Sequence, residues 1–282
     1  PGASRKGYIL ALLRTQKDWC SGEAISSRLA ISRAAVAKHV TALRREGHAI
    51  MAVPRRGYRL LAEADAIDFE QVSSVLATSR FGKNWRFKDE SSSTNTEALV
   101  WAMEGAEEGS IVFAERQTNG RGRKGHDWVS TPRGLQFSLV LRPSPACREL
   151  TSLTLMATMS VAEAIRSVSG LAAQVKLPND VLVNGKKICG VLVEEGLRGG
   201  ETDWTVLGIG CNVNAVAEDF PADMLEKASS LLIESGRPLQ RTVLLSAILE
   251  RLEYRYDRAD AGIPDDLAGR CGQLASPPAA DS

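Results

Sequence analysis

The stretch Val181-Leu182-Val183, Asn184-Gly185, Lys187 to Glu194 constrains the fold of this chain more than any other. Asn-Gly between two apolar runs favours a two-residue type I′ turn, whose twist matches that of paired strands. A β-hairpin is expected here. Its return strand is apolar on both faces, so it belongs inside a sheet rather than at an edge. Further strands are expected over 86–89, 110–114, 135–142 and 204–211, with helices over 68–77, 96–104, 151–168 (ended by Gly170) and 242–258. In the last helix Val243, Leu244, Ile248, Leu249, Leu252 and Tyr256 should face inward. Pro178 cannot donate to a ladder, so Asn179 and Asp180 are expected at a strand break. Strands and helices in this mixed order imply an α+β domain with helices packed on a sheet.

The N-terminal part differs in charge. Residues 1–60 hold 12 Lys+Arg and 3 Asp+Glu, net +9, leaving 23 basic and 31 acidic residues elsewhere, net −8. A basic module on an acidic body points to a polyanion partner. Helices are expected over 5–15, then through Leu29 with Ser21 as N-cap, then from Arg33 to Glu46 with Ser32 as N-cap and Gly47 at C′. Val36, Val40 and Leu43 recur at helical spacing and should face the core, leaving Arg33, Lys38, Thr41, Arg44 and Arg45 outward. Ala30-Ile31 is a helix-turn-helix connection. His48–Val53 and Tyr58–Leu61 flank Pro54-Arg55-Arg56-Gly57, a hairpin with a basic tip. Three helices and such a wing make a winged helix-turn-helix, residues 1–62, with Ser32, Arg33, Lys38, Arg44, Arg55 and Arg56 as DNA-contact candidates. A solvated basic module or a protein-interaction module also fits. Residues 62–66 read as linker, 67–260 as the larger domain and 261–282 as an irregular tail.

Within the larger domain, Gln117-Thr118-Asn119-Gly120-Arg121-Gly122-Arg123-Lys124-Gly125-His126-Asp127-Trp128 alternates glycines with cations and closes on an aromatic. Glycine lets backbone approach a ligand, arginine and lysine supply charge for phosphate or carboxylate, and tryptophan offers a flat face. A nucleotide suits such a loop. Thr94 or Asn95 can cap the helix over 96–104 and leave polar groups at its N-terminus, where anions bind well, although a plain cap uses the same residues. Lys187 begins the return strand of the hairpin and can point into a site, or simply into solvent. Gly208-Ile209-Gly210-Cys211-Asn212 suggests backbone approach to a ligand with an amide beside it, or a bulge without function. Five scattered cysteines without a CxxC pair argue against a zinc cage or a disulfide framework, and reduced cytosolic thiols are the default. The chain has neither a membrane-length apolar run nor a signal-peptide core at its start, so a cytoplasmic protein without membrane association is expected.

Together these residues resemble the biotin–protein ligase family, in its bifunctional ligase and biotin-operon repressor form. Four elements stand in family order behind the winged helix: Ser93-Thr94-Asn95, Gln117 to Trp128, Lys176 to Glu194, and Gly208 to Asn212. The resemblance runs from about Ser21 to Asn214. It implies a class II synthetase-like mixed sheet, with biotin, ATP and Mg²⁺ as reactants and metal ion. The Mg²⁺ would come with ATP rather than in a protein cage. It also implies transfer of biotin from biotinyl-5′-AMP to a lysine of a biotin carboxyl carrier protein domain, and binding of operator DNA as a homodimer when adenylate is bound. By matching position it assigns Ser93, Thr94, Asn95, Gln117, Arg121, Gly122, Arg123 and Lys187 to biotin and adenylate. Trp128 and Asn212 fall to the ATP/adenine side, and Lys187, Arg123 and Asp180 to catalysis. Leu177 stands where the family has an aromatic, and His126 where it has a second arginine. The family's SH3-like C-terminal domain is expected to be absent, since only Ala259 to Ser282 follow the last helix. A biotin sensor without transfer activity, or a lipoate-type ligase, are the alternative readings.

Overall fold

Ser21 and Ser32 start two helices by accepting otherwise unpaired N–H groups, Ala24 on Ser21 Oγ at 3.0 Å and Ala35 on Ser32 Oγ at 3.1 Å. The computed structural model describes residues 5–260 apart from 17, 46–47, 63–64, 66, 68, 132, 146 and 199–200. It divides into two units, Pro1–Ala66 and Ile67–Ser282. The expected C′ residue Gly47, most of the linker over 62–66, and the tail over 261–282 lie outside the described residues.

The first unit contains α1 (Arg5–Thr15), α2 (Gly22–Leu29), α3 (Arg33–Arg45), β1 (Ala49–Val53) and β2 (Gly57–Ala62). Its core is Ile9, Leu13, Cys20, Ile25, Val36, Val40, Leu43 and Ile50. Ala30 ends α2 in the left-handed region at φ 50, where its N–H reaches Ser26 O, and the chain turns at once into α3. Cys20 extends the hairpin to a third strand position by exchanging two 2.8 Å backbone bonds with Tyr58. Gly57 is obligatory beside it, because a Cβ there would lie 2.2 Å from Cys20 O.

The second unit contains α4 (Phe69–Val75), β3 (Trp85–Ser91), α5 (Thr94–Met103), β4 (Ile111–Gln117), a 3-10 turn (Arg123–Gly125), β5 (Leu135–Leu141) and α6 (Leu150–Ser169). It continues with β6 (Gln174–Lys176), β7 (Asp180–Val183), β8 (Lys186–Arg198), β9 (Glu201–Cys211), two more 3-10 turns, α7 (Leu231–Ser235) and α8 (Arg241–Asp260). The seven strands are ordered β3-β4-β5-β9-β8-β7-β6, all neighbours antiparallel except β3 and β4. The fold is α+β, with β8 interior. Alternation divides each strand between two faces. Leu135, Phe137, Leu139, Leu141, Cys189, Val191, Leu207 and Ile209 join α6 and α8 in the main core. Val112, Val140, Trp204 and Val206 pack under α5 on the opposite face.

Four local expectations change. α5 starts at Thr94 with Ser93, not Thr94 or Asn95, as N-cap. Three adjacent residues can cap, and Ser93 takes the role because its backbone is extended there. Val243 is 38% exposed while Leu245 is fully buried, because Leu244, Leu245, Ile248, Leu249, Leu252 and Tyr256 define the buried stripe of α8. The break at Pro178 is the tight connection of an antiparallel pair, with Lys176 opposite Asp180. The space at Gly208 and Gly210 is filled by the chain itself, as Cβ atoms there would meet Asn95 Oδ1 at 2.0 Å and the Trp128 ring at 2.4 Å. Cys20, Cys147, Cys189 and Cys211 are buried free thiols, and Cys271 lies outside the described residues. No helix among the described residues is long and apolar enough to cross a membrane.

Candidate functional site

At the N-terminal end of α5 the same sheet face carries Ser138, Gly208, Gly210, Gly190 and Leu192, mostly small residues. A cavity of about 210 Å³ opens there, lined by Ser93, Thr94, Asn95, Gln117, Arg121, Gly122, Arg123, Trp128, Asp180 and Lys187 among others. A second space, lined by Asn119 to Asp127 and Leu192 to Glu194, adjoins it beneath the Gly/Arg loop. β3 and β4 run parallel with α5 between them, so the ends of both strands and the start of α5 meet at the cavity. Ligands bind at such carboxyl ends and helix N-termini in open sheets.

The closed end is polar and ordered. Ser138 Oγ lies 2.5 Å from Asn95 Oδ1 and 2.7 Å from Thr94 Oγ1, which lies 3.1 Å from Gln117 Oε1. Asn95 Nδ2 donates to Glu194 Oε2 at 2.7 Å, and Gln117 Oε1 accepts the Thr94 N–H at 2.8 Å. Both amides are thereby fixed with their oxygens toward the hydroxyls. Thr94 Oγ1 donates to Gln117 Oε1, and Ser138 has one proton for its two contacts. Hydroxyls and amides at that end both accept and donate, which suits a ligand with N–H and carbonyl groups.

The open end is cationic. A bulge in β8 sets Val181 opposite Cys189 but Leu182 opposite Lys187, so Ile188 is the extra residue. Bulges re-aim side chains, and this one turns Lys187 to the cavity instead of the core. Lys187 is also held by backbone bonds to Lys227 O at 2.8 Å and from Ser229 N at 3.0 Å. Lys187 Nζ pairs with Asp180 Oδ1 at 2.7 Å and sits 5.7 Å from the Trp128 ring centroid. Arg121 pairs with Glu194 at 2.9 Å. Arg123 makes no ion pair among the described residues. The buried Trp128 Nε1 has no hydrogen-bond partner there. Trp128 N–H to Gly120 O at 2.9 Å closes the loop on itself.

Ten of the sequence candidates thus meet in one cavity. Asn212 does not. It is buried, its Nδ2 donating to Ser229 O at 3.1 Å and its Oδ1 accepting from Thr131 Oγ1 at 3.0 Å. Segments distant in sequence enclose it, and nothing local reveals that. Sequence reasoning missed Ser138, although Gln136 and Ser138 are polar at every second place of an otherwise apolar strand. It also gave Glu194 no role, and read Asn179 only as a strand break, whereas Asn179 Nδ2 donates to Val191 O at 2.9 Å and the residue lines the cavity.

In the first unit Arg33, Lys38, Arg55 and Arg56 are exposed. The hydroxyl of Ser32 is engaged as the cap of α3. Arg44 Nε donates to Ile50 O at 2.8 Å and ties α3 to the wing. The Arg56 guanidinium lies 5.5 Å from the Trp19 ring centroid.

Residues 89–212 match the biotin/lipoate A/B protein ligase family, and residues 5–59 match an HTH domain. The bifunctional ligase/repressor BirA of Bacillus spizizenii is 36% identical over 253 residues, 89% of this chain and 78% of that protein. The same identity and coverage hold for the BirA of Bacillus subtilis. The biotin protein ligase of Aquifex aeolicus, solved in complex with biotin and ATP, superposes with a TM-score of 0.60 at 31% identity, over 67% of this chain and 77% of that one. With a relative this similar along most of its length, and with the helix-turn-helix unit in front, the chain belongs to the biotin/lipoate A/B protein ligase family, among its bifunctional ligase/repressors.

Proposed function

We propose that this chain is an ATP-dependent biotin–protein ligase and a transcriptional repressor. It joins biotin to ATP as biotinyl-5′-AMP and passes the biotinyl group to a lysine of a biotin carboxyl carrier protein domain. The observation that carries this reading is a single cavity with an amide and hydroxyl array at one end and three cations at the other. Biotin has that polarity, with ureido N–H groups at one end and a carboxylate at the other. Thr94 Oγ1 and Gln117 Oε1 accept a ureido N–H, and Gln117 Nε2 is available to the ureido oxygen.

In the first step the biotin carboxylate attacks the α-phosphorus of ATP. A C–O–P link forms, and the bond to pyrophosphate breaks. Both reactants are anionic, so their approach is costly in a site of low dielectric constant. Arg123, Arg121 and Lys187 offset that repulsion, Lys187 by exchanging Asp180 for a ligand oxygen. Trp128 presents its ring beside Lys187 to the adenine. Mg²⁺ supplies charge neutralisation to the triphosphate. In the second step the carrier lysine amine attacks the acyl carbonyl, a C–N bond forms and AMP leaves. Asp180 positions that amine or takes its proton. Loop 117–128 covers the mixed anhydride and keeps water out. The helix-turn-helix unit binds operator DNA, as a homodimer when the adenylate is bound.

Mass spectrometry of the chain with biotin, ATP and Mg²⁺, beside a lipoate control, tests the reading. Biotinyl-5′-AMP is expected. Absence of adenylate, or preference for lipoate, overturns it.

A further inference from the structure

Glu194 has no place in the chemistry described above, yet it stands at the centre of the site's contacts. It lies on β8, on the cavity face, opposite Val206. A carboxylate there is electrostatically adverse to a site for two anions. One of its oxygens, Oε2, receives both the Asn95 Nδ2 donor at 2.7 Å and the Arg121 Nη2 donor at 2.9 Å. Asn95 is 4% exposed and belongs to the first turn of α5, whereas Arg121 belongs to the Gly/Arg loop. A single oxygen therefore joins the fixed floor of the cavity to its cover.

We propose that Glu194 is a positioning residue for adenylate formation, acting on biotin through Asn95 and Arg121. With Nδ2 held by Glu194, Asn95 must turn Oδ1 toward Ser138. Ser138, which meets both Asn95 Oδ1 at 2.5 Å and Thr94 Oγ1 at 2.7 Å, is thereby fixed, and with it the Thr94 hydroxyl beside the ligand. Releasing Glu194 frees the Asn95 amide to turn and loosens Ser138 and Thr94 with it. The same release removes the tether of Arg121, and with it the docked state of the loop over the acid. The effect falls on biotin and on adenylate retention, since Lys187, Trp128 and Asp180 lie elsewhere in the cavity.

This inference rests on the ligase reading, and one set of assays separates the two. Biotin-dependent pyrophosphate release is measured on the full chain, with retention of biotinyl-5′-AMP followed after removal of free reactants. A wild-type chain that makes no adenylate overturns the ligase reading and this proposal together. With an active wild type, Glu194→Asp keeps the charge but retracts the carboxylate from its two donors. It is expected to raise KM for biotin about 10-fold, the scale of one charge-assisted hydrogen bond. It should speed adenylate loss similarly and change KM for ATP less than about twofold, within the tolerance set by that one bond. Glu194→Gln, which retains one acceptor oxygen, should recover part of the biotin KM. Adding Arg121→Ala to Glu194→Gln should cost less than the sum of the two single changes. A wild-type biotin KM in both Glu194 variants overturns the proposal. So does a fall in kcat with both KM values unchanged, the pattern of a merely structural role.

Discussion

A methyl group at position 208 has no space to occupy. It would stand 2.0 Å from Asn95 Oδ1, and the amide cannot yield without releasing Ser138, Glu194 or both. Gly208→Ala is therefore expected to weaken biotin binding about 10-fold or more, the cost of disordering one buried polar network. Isothermal titration with biotin reads this directly, and unchanged affinity would show that Asn95 does not order the floor. Lys187 and Arg123 differ in the same spirit. Lys187→Ala leaves Asp180 without its counter-ion, whereas Arg123→Ala strands no carboxylate. Each should cost roughly 1.5–3 kcal/mol of adenylate affinity, the scale of charged hydrogen bonds. Isothermal titration of the two variants with adenylate checks both values, and unchanged affinity in either would remove that residue from the site. At this scale the sequence, by residue type alone, left Thr94 open between a site and a plain cap and Lys187 between a site and solvent; the family resemblance singled them out, and both line one cavity with Gln117 and Arg123. It was silent where a role depends on a partner far along the chain. Asn212 is closed in by Thr131 and Ser229, and Ser138 reaches α5 from a strand more than forty residues away.

At the scale of elements, the carboxylate of Glu253 fastens α8 to the segment before β3, beside the Arg80–Asp257 pair. Glu253 is 8% exposed and accepts the N–H groups of Ser79, Arg80 and Phe81 at 2.7, 2.6 and 2.8 Å. Burial pushes its carboxyl upward, but the backbone donors outweigh burial and hold it below the ordinary value of 4.5. A carboxyl depressed in the folded state adds stability above its unfolded pKa, and that stability is lost as pH falls through the folded one. Glu253→Gln should accordingly destabilise the chain at neutral pH by about 1–3 kcal/mol, the cost of weakening bonds to a charged acceptor. The deficit should shrink as pH falls below about 4.5, where the wild-type carboxyl takes up its proton. Urea midpoints against pH test both statements, and a deficit independent of pH would place the effect in packing rather than charge. Most elements were legible because their signals are local: Ser21 and Ser32 as caps, Asn184-Gly185 as a turn, Gly170 as a helix end. The start of α5 was not, since Ser93, Thr94 and Asn95 are all competent caps and tertiary contacts choose among them. Nor was the bulge at Ile188, because an extra residue in a strand shows only against its partner.

For the whole molecule, the two units carry opposite charge and separate cores. The net +9 of residues 1–60 stands against −8 for the rest. The first unit closes on Ile9, Leu13, Val36 and Leu43, and the second on its own sheet and helices. Among the described residues each core is built from its own unit, so adenylate formation should survive removal of residues 1–62 while operator affinity is lost. On DNA, each phosphate neutralised by a side chain releases counter-ions and steepens the dependence on salt. The exposed candidates are Arg33, Lys38, Arg44, Arg55 and Arg56, with the Nε of Arg44 bonded to Ile50 O. Four phosphate contacts per chain, from Arg33, Arg44, Arg55 and Arg56, correspond to a slope of log K against log salt of about −3.6. Replacing Arg55 and Arg56 together by alanine should reduce that slope by about 2 per chain and weaken binding to operator and unrelated DNA alike. Lys38→Ala is the contrasting case, because α3 is the helix that enters the groove in such a unit. It should narrow the gap between operator and unrelated DNA. Fluorescence anisotropy across a salt series measures both quantities. An unchanged slope in the double wing variant would mean that the wing does not touch the phosphates, and would move the whole electrostatic contribution onto α3.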